Sequence, residues 1–272
     1  MRLIPLLLYA AAAAAYAGHF AWRDPRIGRF ATALLAGGLL AHTFLIGMQT
    51  VQAGHAPLVG TSAAVSAFIW LLGLAYLYVE LTADERSMGI FVTILLVALG
   101  IIPALDPAVS SRPPLLQSPL FTVHVLSMLF AYASFALAGV LGFTYVLMFK
   151  EIRAKHLGFF YARLPSLRVL DMMNGRAVVV GWIFLTIGVV IGAIWAMQVQ
   201  HSPDPRAQAM SIADPKILVA VMCWVLYSFE VYARRAIGWS GRRAAWLSTI
   251  GFVIVLLNFV PVGYFLTRSH NF

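Results

Sequence analysis

Eight apolar runs separated by short polar connectors divide this chain, at roughly 3–22, 30–49, 61–81, 88–105, 119–149, 177–198, 215–233 and 244–266. Most are close to the ~20 residues that cross the hydrocarbon of a bilayer as a helix. The pattern predicts an all-α polytopic membrane protein of eight transmembrane helices, with residues 1–272 forming one domain. The longest polar connector, 150–176, alternates apolar and basic positions. It is read as the end of a long fifth span followed by a short amphipathic segment along the membrane interface. Pro165 ends the first helical stretch there and Ser166 caps the next. Connectors two, four and six have another texture, rich in Pro, Gly, Ser and Ala, and read as irregular loops. Gly139 with Gly142 and Gly188 with Gly192 have the small-residue spacing that lets helices approach closely. No phosphate-binding loop, HExxH motif or convincing internal repeat is present.

Charge then orients the bundle. Fourteen of the nineteen Lys and Arg residues fall in connectors one, three, five and seven: Arg23, Arg26, Arg29, Arg86, Lys150, Arg153, Lys155, Arg163, Arg168, Arg176, Arg234, Arg235, Arg242 and Arg243. Only Arg2, Arg112, Arg206, Lys216 and Arg268 lie on the other side. Positive connectors mark the cytoplasmic face, so both termini are expected outside. A composition that is 61% hydrophobic and 11% charged, with mean hydropathy +0.87, leaves nothing to cover a water-facing surface. The net charge of +9 is therefore assigned to topology and anionic lipid, not to nucleic acid. The first run resembles a signal peptide in its alanine content, but its basic cluster follows the apolar stretch, which favours a retained helix. The one cysteine, Cys223, excludes a disulfide scaffold and a cysteine metal site.

Histidine is the reactive group present in quantity, and the topology sorts the seven. His156 is cytoplasmic, His55 and His201 lie in outward loops, His19 is near the inner end of span one, and His42 is in mid-membrane. A buried ionisable side chain has a partner or a function; for His19 and His42 a hydrogen bond to a neighbouring helix accounts for it as well as a ligand role does. His124, about five residues and so ~7 Å into span five, and His270, just after span eight, share the outer boundary. Two imidazoles approaching from opposite sides can ligate the iron of a haem between them. Phe121, Phe130, Tyr132, Trp195, Tyr264, Phe265 and Phe272 supply a flat apolar wall, although an interfacial lipid belt would use the same residues.

Several stretches resemble a known family. LPSLRVLDMMNGRAVVVGWIFLTIGVVIGAIWA at 164–196, DPK at 214–216, CWVLYSFEVYARRAIGWSGRRAAWLSTIGF at 223–252 and the terminal RSH are similar to the cytochrome c assembly family of CcsA, HemX and YpjD type. TVHVLSMLFAYASFA at 122–136 resembles its histidine helix, and GLLAHTFLIG with GHAPLVGTSAAVSAFIW fits its second and third spans. The resemblance implies haem handling at the outer face of a bacterial inner membrane, with haem b as cofactor and His124 and His270 as the two external iron ligands. Asp214 and Trp195 are weaker cofactor contacts on the same grounds, as is mid-membrane His42. Two features depart from the family. Synthases carry a Trp-rich WGxxWxWDxxE element in the sixth connector, which here has no Trp, with Ala213 before Asp214 and Ile217 at the acidic position. They also carry a histidine near the inner end of span seven, where this chain has Tyr232, a residue able to ligate ferric haem or simply to pack.

The expectation is thus a haem-binding assembly protein that performs no covalent step itself, with lipid, a partner membrane subunit and apocytochrome c as its partners. Arg112 or Arg206 would pair with the haem propionates. A non-haem scaffold or regulator of haem synthesis or of a respiratory complex is the alternative. A synthase core needing a partner's platform is another, and a transporter a third, disfavoured because no carboxylate reads as buried, Glu80 and Glu230 lying near inner span ends.

Overall fold

The computed structural model describes residues 3–105, 118–155, 158–199 and 215–257. All regular structure among them is helical: α1 (Ile4–Trp22), α2 (Pro25–Ala53), α3 (Thr61–Ala83), α4 (Gly89–Leu105), α5 (Pro119–Arg153), α6 (Phe159–Arg163), α7 (Leu167–Val199), α8 (Pro215–Ala236) and α9 (Arg242–Leu257). Six of these, α1, α2, α3, α5, α7 and α8, are long and apolar enough to cross a membrane, and α4 is a shorter apolar helix of 17 residues. The chain is therefore a polytopic helical membrane protein. Long side chains such as Leu7, Phe44, Val51 and Leu218 stand exposed on its flanks, as a lipid-facing surface requires.

Local chemistry sets the boundaries. Asp24 caps α2 by accepting from the Arg26 N–H at 2.7 Å, and Pro25 at the first helical position loses no hydrogen bond. Ser118 caps α5, its Oγ accepting from the Leu120 N–H. Arg23 closes α1 in the left-handed region at φ 56°, its N–H bonding back to the His19 carbonyl. The expected break at Pro165 and Ser166 is present, with α6 ending at Arg163 and Ser166 Oγ accepting from the Val169 N–H. One expectation changes. Residues 167–176 are not a separate interfacial segment but the first turns of α7, and Asp171 and Asn174 among them turn into the bundle.

Helix α5 is the axis. Its apolar window is 72% buried, against 28% for α1 and α7. One face lies antiparallel along α7 in constant register. Phe121 meets Trp195 with ring centroids 5.1 Å apart, Met128 meets Gly188, Phe135 meets Gly181, and the Asn174 amide donates to the Ala138 carbonyl at 2.8 Å. Another face receives α9, with Phe252 against Gly139 and Thr249 against Gly142. From α8, Tyr227 stacks on Phe135 at 3.5 Å. Helices α1–α4 form the other part, α1 packing on α2 and α4 while α3 joins them to α5.

Alternating helix direction collects residues 23–24, 84–88, 154–155, 158–166 and 237–241 at one end, the arginine-rich end. There Arg234 of α8 bridges to Asp171 of α7 at 2.9 Å and to Glu230 at 3.3 Å, and donates to Asn174. Ser248 of α9 donates to Glu230 at 2.6 Å and to Asn174 at 3.1 Å. In the other part, Glu80 accepts from Tyr16 at 2.6 Å and from Thr32, tying α1, α2 and α3. Both glutamates are at most 1% exposed, which corrects the reading that no carboxylate is buried. Their neighbours in sequence are apolar, so nothing in the local pattern distinguished a buried carboxylate from one at a span end.

Two predictions follow from this packing. A Cβ on Gly181 would lie 2.5 Å from Phe135, whereas at Gly37 nothing stands within 4 Å. Thermal unfolding in detergent should show Gly181→Ala destabilised by about 1–3 kcal/mol and Gly37→Ala unchanged or more stable by about 0.5–1 kcal/mol. Arg234→Gln strands partly buried Asp171 and buried Glu230 and should cost about 3–5 kcal/mol. Arg235→Gln, at an exposed neighbour, should stay within about 0.5 kcal/mol.

Candidate functional site

His124 projects from α5 about one and a half turns below its start, at the arginine-poor end. Its Nδ1 lies 2.7 Å from the backbone carbonyl of Gly188 on α7. A carbonyl can only accept, so Nδ1 carries the proton, and in the neutral ring Nε2 holds the lone pair. This is the arrangement of a metal-ligating imidazole, whose second nitrogen donates to a carbonyl or carboxylate and thereby fixes tautomer and orientation. The ring nests against α7 where Gly192 has no side chain: a Cβ there would fall 2.5 Å from Nδ1. One turn further along α7, Trp195 is 4% exposed and packs on Phe121. Its indole Nε1–H is buried and has no hydrogen-bond partner among the described residues. Val59, from the connector between α2 and α3, and Leu120, Val125 and Val199 complete an apolar patch around this pair. An imidazole in ligand tautomer, a buried indole donor awaiting an acceptor and two aromatic faces thus share one corner of the bundle.

His42 lies elsewhere. It is 2% exposed, with Nδ1 3.1 Å from Tyr9 Oη on α1 and Nε2 2.9 Å from Ser66 Oγ on α3. Both nitrogens are engaged across three helices, the helix-contact role open to a membrane histidine. Beside it is a cavity of about 50 Å³, lined by Tyr9, Gln49, Ser62, Ser66 and Pro103. At ~10–15 Å³ for each water, that space takes a few waters and no macrocycle. His19 similarly donates from Nδ1 to the Asp24 carbonyl at 2.9 Å, bracing the turn between α1 and α2. Tyr232 is 59% exposed on the flank of α8, near the arginine-rich end, and the structure does not bring it to His124. His55 stands in the connector after α2, its Nδ1 3.2 Å from the Ala56 carbonyl. His270 and Asp214 lie outside the described residues, as do Arg112, Arg206, His156 and His201. Among the described residues no three His, Cys, Asp or Glu side chains converge as a metal cage.

Of the expected site residues, the structure therefore brings His124 and Trp195 into one neighbourhood and sets His42 and Tyr232 apart. What the sequence reading missed is the glycine contribution. Gly188 and Gly192 were read as spacers between helices, and their proximity to His124 needed the register of α5 on α7. Trp195 is seven residues after Gly188 and three after Gly192, so helical periodicity did place all three on one face of α7.

Comparison with known proteins agrees with the resemblance carried by the sequence. Residues 38–270 match the family model described as cytochrome C assembly protein. The chain is 24% identical over 250 residues to the cytochrome c biogenesis protein CcsA of Guillardia theta, covering 85% of this chain and 81% of that one. It is 24% identical over 279 residues to CcsA of Synechococcus sp. (strain CC9902), with 92% and 88% covered. CcsA of Prochlorococcus marinus (strain MIT 9303) is 26% identical over 271 residues, with 89% and 83% covered. With a family model spanning most of its length, this chain belongs to the cytochrome c assembly protein family.

Proposed function

We propose that this protein is a haem-handling membrane protein of cytochrome c biogenesis, which holds haem b at the outer face of a bacterial cytoplasmic membrane between His124 and His270. The observation that carries the reading is the Nδ1–H bond of His124 to the Gly188 carbonyl, which leaves Nε2 as the iron-binding nitrogen. The orphaned indole N–H of Trp195 and the ring of Phe121 beside it suit the edge and face of a porphyrin. His270 follows the eighth apolar run and supplies the second axial ligand in this reading. The relatives named for cytochrome c biogenesis support the same assignment.

Within this reading the chain's residues bind and orient a cargo. His124 and His270 would hold the haem through their imidazole lone pairs, and two such ligands would give a low-spin spectrum. His124 is held by a backbone carbonyl, so it presents its lone pair without conformational cost. The apolar patch of Phe121, Leu120, Val125 and Val199 excludes water from the macrocycle. No covalent step is assigned to the chain, because the connector from 199 to 214 contains no tryptophan. Attachment to apocytochrome c is assigned to a partner membrane subunit that supplies the Trp-rich platform. Eight passes with both termini outside complete the proposal, the charge split of fourteen to five setting the orientation.

Reporter fusions test the topology: fusions at Ser110 and Gln208 should read as external, and those at Lys155 and Ser240 as cytoplasmic. An internal signal at Gln208 would place the His124 corner on the wrong side of the membrane. The ligands are tested by absorption spectroscopy of detergent-purified protein. His124→Ala and His270→Ala should each abolish or convert a low-spin haem spectrum, and added imidazole should restore it. His156→Ala should leave the spectrum intact. Wild-type protein that neither carries haem nor takes it up when offered would end the reading and favour a scaffold role.

A further inference from the structure

Two glycines of α7 face α5 where His124 sits, and they do different things. In a helix the carbonyl of residue 188 accepts the N–H of residue 192, which uses one of its two lone pairs. A side chain at 192 would point back toward the N-terminus and cover the turn that contains that carbonyl. Glycine at 192 leaves it bare, and the Nδ1–H of His124 takes the second lone pair at 2.7 Å. The same absence makes room for the ring, since a Cβ would lie 2.5 Å from Nδ1 and 2.6 Å from Cε1. Gly188 serves the backbone approach: a Cβ there would meet Met128 at 2.8 Å from Sδ and 3.3 Å from the main-chain nitrogen.

We propose that Gly188 and Gly192 form an imidazole seat, a backbone device that fixes the tautomer and rotation of His124 so that Nε2 is presented as an axial ligand. Gly192 is the positioning residue, and the Gly188 carbonyl is the acceptor. The proposal rests on the haem reading of His124. It adds a specific claim, that ligand strength at this corner is set by the missing side chain at 192. Two further features agree with it. The spacing of 188, 192 and 195 puts the seat and the Trp195 indole on one stripe of α7, facing Phe121, His124 and Met128 of α5. Outer partners of metal-bound histidines typically change metal affinity by about 10–100-fold when they are lost.

The test compares Gly192→Ala with Gly181→Ala. Both add one methyl to the same face of α7, and both would meet a ring at 2.5 Å, His124 in one case and Phe135 in the other. A purely structural role predicts equal effects on haem. The seat predicts that Gly192→Ala weakens haem affinity about 10–100-fold and converts the low-spin spectrum, while Gly181→Ala retains wild-type affinity at a similar loss of thermal stability. A second readout needs no haem. In haem-free protein labelled with 15N-histidine, the resonances that His124→Ala removes should report a protonated Nδ1 and an unprotonated Nε2, and Gly192→Ala should convert them to a mixture of tautomers.

The outcomes separate the two claims. Equal haem affinity and spectrum in wild type and Gly192→Ala would overturn the seat and leave His124 as a ligand. A wild-type ring protonated at Nε2 would overturn the seat on its own, even if Gly192→Ala cannot be purified. Wild-type protein that shows the expected tautomer but binds no haem would overturn the axial-ligand role, and with it the proposal.

Discussion

Close approach of α5 to α7 is the constraint on which the rest of this bundle depends. In lipid the association of helices gains nothing from removing apolar surface from water, so it relies on packing and on hydrogen bonds between helices. Here Met128 and Phe135 on one α5 face are each received by a glycine of α7, and Asn174 reaches the Ala138 carbonyl at the far end. The reciprocal device appears on the α9 side, where Gly139 and Gly142 of α5 receive Phe252 and Thr249. An axial helix that both gives and receives knobs leaves little freedom of register. That fixed register carries His124 to the Gly188 carbonyl of α7.

The polar groups divide by purpose along the same axis. At the arginine-rich end, Arg234, Asp171, Glu230, Asn174 and Ser248 bond one another across α7, α8 and α9, with one Glu230 oxygen left unpartnered, and Glu80 is bonded by Tyr16 and Thr32 across α1, α2 and α3. Such networks specify a unique arrangement because a misregistered helix would strand several buried groups at once. At the other end the polar groups among the described residues are sparse, and Trp195 is one of several side chains in the bundle with an unpartnered buried atom. Trp195 buries an N–H with no acceptor among the described residues. An orphaned donor has a cost of roughly 1–3 kcal/mol, and its location beside His124 is what makes that cost informative.

Much of the helical fold was legible in the chain because span length and turn residues are local signals. The apolar runs anticipate the helices to within a few residues at most ends, and the break at Pro165 and Ser166 is where proline and capping chemistry put it. Helix α2 begins at Pro25 and not near 30 because Asp24 caps a polar first turn that hydropathy alone does not register. The stretch 167–176 was misread for a related reason. Its alternation of polar and apolar positions imitates an interfacial helix, whereas Asp171 and Asn174 are polar because Arg234 and Ser248, sixty to seventy residues away, face them. Glu80 reads as a span-end residue by position, and its burial depends on Tyr16 and Thr32 of other helices. His124 could be singled out by depth and type, but its tautomer depends on a backbone atom of another helix, which no residue pattern encodes.

The two membrane histidines show how far identity alone can mislead. His42 is the more deeply buried, yet its neighbours are two hydroxyls, each able to donate or accept, so either tautomer satisfies the site. Such a partner set suits a helix clamp, because the hydrogen bonds persist whichever nitrogen holds the proton. His124 is less buried and has a carbonyl as its partner, which admits one tautomer only. A clamp has no need of that restriction, whereas a ligand does, since a ring protonated on the nitrogen facing a metal cannot bind it. The Asp24 carbonyl restricts His19 in the same way where no ligand role is assigned, so a fixed tautomer is a condition that coordination by His124 requires and that His42 lacks.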